Sequence, residues 1–279
     1  MNDATRRFLR HRLAVTGLGV IAILMLLALA ARQVAPHDPI HQDLPHALAG
    51  PSAEFPLGTD EFGRCILSRI LFGARLSLLV GVIATGIGAT AGILCGLAAG
   101  YFSRLDAPIM RAMDVLLAFP SILLAIAVVA ALGPSLGNVM IAVGVRSIPS
   151  FARLARSMVL SLKELEFVQG ATALGASHGR VLFRHILPNS VSPLLVFSSM
   201  QVATAILLAA ILSFLGLGVQ PPTPEWGKMV SDGRAYLMEA PHVSLFPGLA
   251  IFIAVMGFNC LGDGLRDALD PRVGRVAVE

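Results

Sequence analysis

Five stretches of this chain stay apolar for about the 20 residues that a helix needs to cross a hydrocarbon layer. They are Leu13–Val34, Leu76–Gly100, Met113–Leu132, Val191–Gly218 and Ser244–Leu261. Hydrocarbon offers no water to backbone groups, so each stretch must satisfy its own N–H and C=O groups, as a helix does. The expected class is therefore all-α and membrane-embedded. Composition agrees: charged residues make up 14% of the chain and hydrophobic ones 56%, where a soluble domain carries about 25% charged residues. The 27 glycines suit helices that approach closely in a membrane. The net charge of +4 is scattered over short loops and forms no nucleic-acid footprint. Cys65, Cys95 and Cys260 form no disulfide framework.

A sixth span is expected over Asn138–Met158, although Arg146, Ser147, Pro149, Ser150, Arg153 and Arg156 interrupt it. Without it, the basic loop that follows would lie opposite the basic N-terminus. With it, Arg6, Arg7, Arg10, Arg12, Arg104, Arg111, Lys163, Arg180, Arg184, Arg266, Arg272 and Arg275 share one side. The other side holds Arg32, Arg64, Arg69, Arg75, Lys228 and Arg234. The positive-inside rule then places both termini in the cytoplasm and residues 35–75 outside. A signal peptide is the rival for the first span, with Ala28-Leu29-Ala30 as its cleavage site. The apolar run outlasts the usual h-region, which favours an uncleaved helix.

Between the fourth and fifth spans lies a loop, residues 159–190, that does not read as a linker. Leu162, Leu165, Val168, Ala171 and Leu174 recur every third residue, close to the helical period, beside Lys163, Glu164 and Glu166. Gly175 ends that helix, and a second short helix runs to Leu187, with Pro188 opening the next segment. On periodicity alone, a helix lying on the membrane surface and a helix docked on a soluble partner remain equally open.

Four motifs in order carry a family resemblance over nearly the whole chain. Phe55-Pro56-Leu57-Gly58-Thr59-Asp60-Glu61-Phe62-Gly63-Arg64 is followed by Gly73-Ala74-Arg75-Leu76. Glu166-Phe167-Val168-Gln169-Gly170-Ala171 leads to Leu174-Gly175-Ala176-Ser177 and His185-Ile186-Leu187-Pro188. Phe214-Leu215-Gly216-Leu217-Gly218 precedes Pro224-Glu225-Trp226-Gly227, and Gly262-Asp263-Gly264-Leu265-Arg266-Asp267 closes the set. The chain resembles the smaller permease subunit of bacterial ABC importers of the dipeptide, oligopeptide and nickel type. That resemblance implies a type I ABC importer permease fold of six transmembrane helices with a cytoplasmic coupling helix. It implies an N-terminal unit, residues 1–75, and a permease core, residues 76–279. Partners would be a second homologous permease subunit in a heterodimer, two ATPase subunits and a periplasmic solute-binding protein, in the bacterial inner membrane.

The resemblance assigns ATPase coupling to Glu166, Gln169, Gly170, Ala171, Gly175, Leu187 and Pro188, and an outside motif to Gly58, Thr59, Asp60, Gly63 and Arg64. This chain departs from the family where Gln169-Gly170 replaces the usual Glu-Ala, where Cys65 replaces an Asp, and where Ile148 replaces a Trp. It has no phosphate-binding G-x-x-x-x-G-K-[ST] loop, so ATP and Mg belong to partner subunits and this chain is expected to bind no cofactor and catalyse no reaction. Import of di- or oligopeptides is the leading function. Import of nickel or glutathione is the near alternative, and a scaffold that docks a soluble partner without transport is the distant one.

Three further features have plain readings. His37, Asp38, His41, Asp43 and His46 hint at metal capture, but Pro36, Pro39 and Pro45 deny them a shared helix face, so a polar loop is expected. Thr59-Asp60 is expected to cap an amphipathic helix carrying an Asp60–Arg64 pair and burying Phe62, Ile66, Leu67, Ile70 and Leu71. Trp226, the only tryptophan, reads as an interfacial anchor. Arg146 is the anomaly: a cation in the middle of a span faces a cavity or a partner, and either a place on the pathway or an ion pair would serve.

Overall fold

The computed structural model describes residues 11–269 together with Phe8. Arg6, Arg7, Arg10, Arg272 and Arg275 lie outside the described residues. Within them the chain is helical, with no β-strand and one isolated bridge between Thr59 and Cys65. The principal helices are α1 (Arg12–Leu29), α2 (Ile66–Tyr101), α3 (Ser103–Ala118), α4 (Ser121–Leu132), α5 (Leu136–Leu162), α6 (Glu166–Ala173), α7 (His178–Phe214), α8 (Trp226–Gly233) and α9 (His242–Leu269). Four of them, α1, α2, α7 and α9, are long and apolar enough to span by themselves, and α3 with α4 forms a fifth, bent crossing. The sixth is α5, whose 27 residues reach about 40 Å despite three arginines.

An even number of crossings brings the start of α1 and the end of α9 to one side, where His11 Nε2 lies 3.0 Å from Asp267 Oδ2. The opposite side carries Trp226, and there His242 Nε2 sits 3.3 Å from the Thr59 carbonyl. These two sides are called the His11 end and the Trp226 end.

The expected spans hold in number and differ in shape. Met113–Leu132 is not one helix: α3 and α4 meet at 94°. Pro120 clashes with an α-conformation at the residue before it, and Phe119 accordingly sits extended at φ −87°, ψ 137°. Helix α2 begins ten residues before the expected Leu76, so Gly73-Ala74-Arg75 is helical. Arg75 then donates from Nη2 to the Leu29 carbonyl at 2.8 Å and from Nε to that of Ala28, helping to satisfy the carbonyls at the end of α1. The expected separate helix ending at Leu187 is absent. A π turn over Val181–Ile186 carries α7 straight through Pro188, with the Leu187 N–H bonded to the Leu182 carbonyl five residues back.

Packing between helices depends on backbone approach. Gly88, Gly92, Gly96 and Gly100 recur every fourth residue of α2 and form one face against α5. A Cβ at Gly92 would stand 2.5 Å from Phe151 Cβ and 2.6 Å from the Ile148 carbonyl. A Cβ at Gly96 would overlap the Ala152 carbonyl. A smaller seam joins α1 to α9, where a Cβ at Gly17 would lie 2.5 Å from the Leu261 amide.

Candidate functional site

At the His11 end the 159–190 loop folds as α6, a tight turn, and the first turns of α7. Gly175 sits at φ +82°. The Ala176 N–H returns to the Ala171 carbonyl at 3.1 Å and the Gly175 N–H to that of Thr172 at 3.0 Å, the paired bonds of a glycine-terminated helix. Only Val168 of α6 points inward, 2% exposed, into a cluster with Leu97, Val159, Val181, Leu182 and Ile186 from the ends of α2, α5 and α7. Leu187 packs partly on the same cluster. Tyr101 Oη lies 3.0 Å from His178 Nδ1, a second tie between α2 and the loop.

The rest of α6 faces outward. Glu166, Gln169 and Gly170 are exposed, and Ala171 is half-buried. Leu165 is 45% exposed and Leu174 is 91% exposed, while Val168 is buried and Leu162 packs against the same cluster, so the apolar stripe read from the sequence is divided between the inside and the outside. Gly170 and Gly175 have open space where a side chain would be. Gln169 folds back, donating to the Glu164 carbonyl at 3.2 Å. Pro188 is exposed two residues beyond the π segment. The structure thus brings Glu166, Gln169, Gly170, Ala171 and Gly175 onto one short helix and turn, and links them to Leu187 through the buried cluster.

At the Trp226 end, Gly58–Arg64 forms a closed turn rather than the expected helix. Asp60 Oδ1 accepts from the Phe62 and Arg64 amides, both at 3.0 Å, a local arrangement that competes with helix. Its Oδ2 lies 2.7 Å from Arg64 Nε and 3.3 Å from Arg69 Nε. Asp60, Arg64 and Arg69 are each under 5% exposed. Gly63, at φ +73°, is pressed so close to Asp43 that a Cβ would overlap its carbonyl. Thr59 Oγ1 accepts from the Ala49 amide at 2.9 Å and donates to the His46 carbonyl. Ile66 and Leu71 are buried as expected, but Phe62 is 40% exposed, its ring 4.7 Å from the Arg64 guanidinium carbon. Glu61 Oε2 is buried with no partner among the described residues; that burial pushes its carboxyl above the ordinary range, more than a backbone hydrogen bond and Arg64 pull it down. His37 stacks on Phe55 with centroids 4.9 Å apart, and His46 Nδ1 pairs with Asp43 at 2.7 Å.

Trp226 is not an interfacial anchor. It is fully buried, and its Nε1–H donates to the Ile70 carbonyl at 3.0 Å. Beside it stands a residue to which the sequence motif gave no role of its own. Glu225, 3% exposed, caps α8 by accepting from the Gly227 and Lys228 amides at 3.0 and 2.9 Å, and takes a third bond from Ser77 Oγ at 3.2 Å. The signal was an acidic residue just before a short helix.

Arg146 lies about 15 Å along α5 from Leu136. It is half-buried and has no hydrogen bond or ion pair among the described residues. Arg153 and Arg156, nearer the His11 end, do have partners: Arg153 Nη2 is 2.7 Å from Asp114, and Arg156 grips Asp106 through two nitrogens at 2.5 and 2.6 Å. Facing lipid, a bare guanidinium at this depth would cost about 2.5–3.5 kcal/mol on insertion scales.

Known proteins share this architecture and this sequence. Residues 88–275 match the family model described as "Binding-protein-dependent transport system inner membrane component", and residues 1–51 match "N-terminal TM domain of oligopeptide transport permease C". The dipeptide transport system permease protein DppC of Alkalihalophilus pseudofirmus is 50% identical over 97% of this chain and 90% of its own length. The glutathione transport system permease protein GsiD of Escherichia coli is 52% identical over 96% and 89%. Among solved structures, an inward-facing MetNI methionine ABC transporter aligns with 76% of this chain and 97% of its own at a TM-score of 0.55 and 15% identity. An amino acid ABC transporter crystallised with histidines aligns with 72% and 94% at 0.54 and 14%. At such identity these structures speak for the fold, while the sequence relatives and the family models speak for the role. The chain belongs to the family of binding-protein-dependent transport system inner membrane components, as a permease subunit of an ABC importer.

Proposed function

We propose that this chain forms half of the pathway by which di- or oligopeptides cross the inner membrane, with the His11 end in the cytoplasm. It works beside a second, homologous permease subunit, two ATPase subunits that bind ATP and Mg, and an external solute-binding protein. It contributes no catalytic group of its own. The observation that carries the reading is α6, whose outer face is small and open around Gly170 and Ala171, edged by the exposed Leu174. A helix of that shape enters a groove on a partner. Val168 and the cluster beneath it tie α6 to the ends of α2, α5 and α7, so a pull on α6 is transmitted to three spans. Transport then follows if ATP binding by the partner favours one arrangement of the spans over another.

Glutathione, itself a peptide, is the second reading, supported by the GsiD relative. The deciding test is purification of the complex with Ala171→Asp. A carboxylate placed in an apolar groove costs roughly several kcal/mol if it stays ionised and unpaired. The ATPase subunits should be lost while the chain still inserts. Retention of the ATPase subunits and of transport would return α6 to a membrane-surface role.

A further inference from the structure

The exposed faces of two helices follow one spacing with opposite chemistry. On α9, Leu245, Leu249, Phe252 and Met256 recur at i, i+4, i+7 and i+11, all exposed and all apolar. On α5, Arg146, Ser150, Arg153 and Ser157 recur at the same intervals, half-buried at Arg146 and Ser150 and exposed at Arg153 and Ser157. The α9 stripe is what a lipid-facing helix should show. The α5 stripe is its inverse, a polar line running from mid-span towards the His11 end, at a depth where lipid-facing residues should be apolar.

The surroundings of the stripe say where it leads. Towards the Trp226 end the same face of α5 carries Val139, Ala142 and Val143, buried in a cluster with residues of α4 and α7. The opposite side of α5 is occupied by the α2 glycines. The face is therefore closed in one half and open in the other, and Arg146 sits where it opens. Arg153 is held by Asp114 at 2.7 Å, and Ser157 returns its hydroxyl to the Leu154 carbonyl at 2.8 Å, leaving Arg146 as the cation of the stripe with no partner among the described residues.

We propose that this stripe is the water-exposed lining of the chain's half of the pathway, and that Arg146 receives the carboxylate of the solute at mid-membrane. The proposal rests on the importer reading and narrows it: the cargo carries a carboxylate, as a peptide or glutathione does, and a bare divalent cation is disfavoured by the same charge.

The test uses the assembled transporter in proteoliposomes, with Cys65, Cys95 and Cys260 replaced by serine. Single cysteines are placed at Ser150, Ser157 and, as a lipid-facing control, Leu249. Each is reacted with sulfonatoethyl (anionic) and trimethylammonioethyl (cationic) methanethiosulfonate, and each rate is divided by that reagent's rate with a free thiol in solution. Ser157→Cys should react with both reagents and Leu249→Cys with neither. At Ser150→Cys the normalised anionic rate should exceed the cationic one by on the order of tenfold, as a charged cleft concentrates its counter-ion. Arg146→Gln should bring the ratio close to one and Arg146→Lys should restore it. A free-acid dipeptide supplied with the binding protein should slow labelling at Ser150→Cys, while nickel ion should not. Two unreactive serine positions, or a ratio unchanged by Arg146→Gln, would overturn the proposal. Should Arg146→Gln fail to assemble, dipeptide and nickel protection in the Ser150→Cys protein decides alone, and protection by nickel overturns it. Loss of the ATPase subunits from the unmutated complex would instead contradict the importer reading, and the labelling pattern would still decide this one.

Discussion

Gly175 and Trp226 show how much a single position can hold. A side chain at Gly175 would meet no neighbour, so any penalty there comes from the backbone at φ +82°. Gly175→Val should cost on the order of 1–3 kcal/mol in local strain and uncouple import from ATP hydrolysis, read as solute moved per ATP, while membrane level stays normal. Trp226→Ala removes a fully buried ring and its hydrogen bond to Ile70. It should destabilise by roughly 3–5 kcal/mol, seen as a fall in the thermal midpoint of the purified complex. Glu61 acts in the opposite sense. Its carboxyl is raised above 4.5 by burial, so the folded state holds the proton more tightly than the unfolded one. That contribution is fully present below the unfolded value and is lost as pH rises through the folded one. Glu61→Gln should therefore raise the thermal midpoint at pH 8, by about 2–4 °C for each ~1 kcal/mol relieved, and change it little at pH 4. An equal gain at both values would contradict the buried-charge account.

At the scale of elements, the α2–α5 glycine seam makes a prediction with its own control. Gly92→Leu should block the packing of α2 on α5 and abolish assembly, because its Cβ would fall 2.5 Å from Phe151 Cβ. Gly86→Leu has nothing within 4 Å and should be tolerated in the same size-exclusion assay. The spans were readable because run length in hydrocarbon is a direct physical demand, and α1 and α9 begin within two residues of where it places them. The bend at Phe119 escaped because hydropathy is continuous across Pro120; the proline itself was the signal. The Asp60–Arg64 pair was readable as a spacing, but its element was not. A turn closed by Asp60 Oδ1 on two amides offers the same i, i+4 contact as a helix. Trp226 was misplaced because a lone tryptophan near a span end suits an interface equally well until α8, which it opens, is seen to press it against α2. Within α6 the helix and its glycine stop were legible from Leu165 to Gly175. That Leu174 points outward and Val168 inward was not, because every third residue is apolar and only the position of α2, α5 and α7 selects one of them.

For the molecule as a whole, the two ends must lie on opposite sides of the membrane. Single cysteines at Ser52 and Ser177 test this with an impermeant thiol reagent on spheroplasts: Ser52→Cys should label from outside and Ser177→Cys only after permeabilisation. The reverse pattern would invert the topology and remove α6 from reach of any cytoplasmic ATPase. The architecture joins the short exposed helix α6 at one end to a buried charged turn at the other through six crossings; in the function proposed, ATP hydrolysed by a partner moves solute past α5. The most direct measurement is dipeptide uptake into proteoliposomes holding this chain with its partner permease, the ATPase subunits and the binding protein. Uptake should require ATP, should vanish with Ala171→Asp, and should survive Gly86→Leu. Uptake that proceeds without ATP, or that persists at the normal rate with Ala171→Asp, would contradict it.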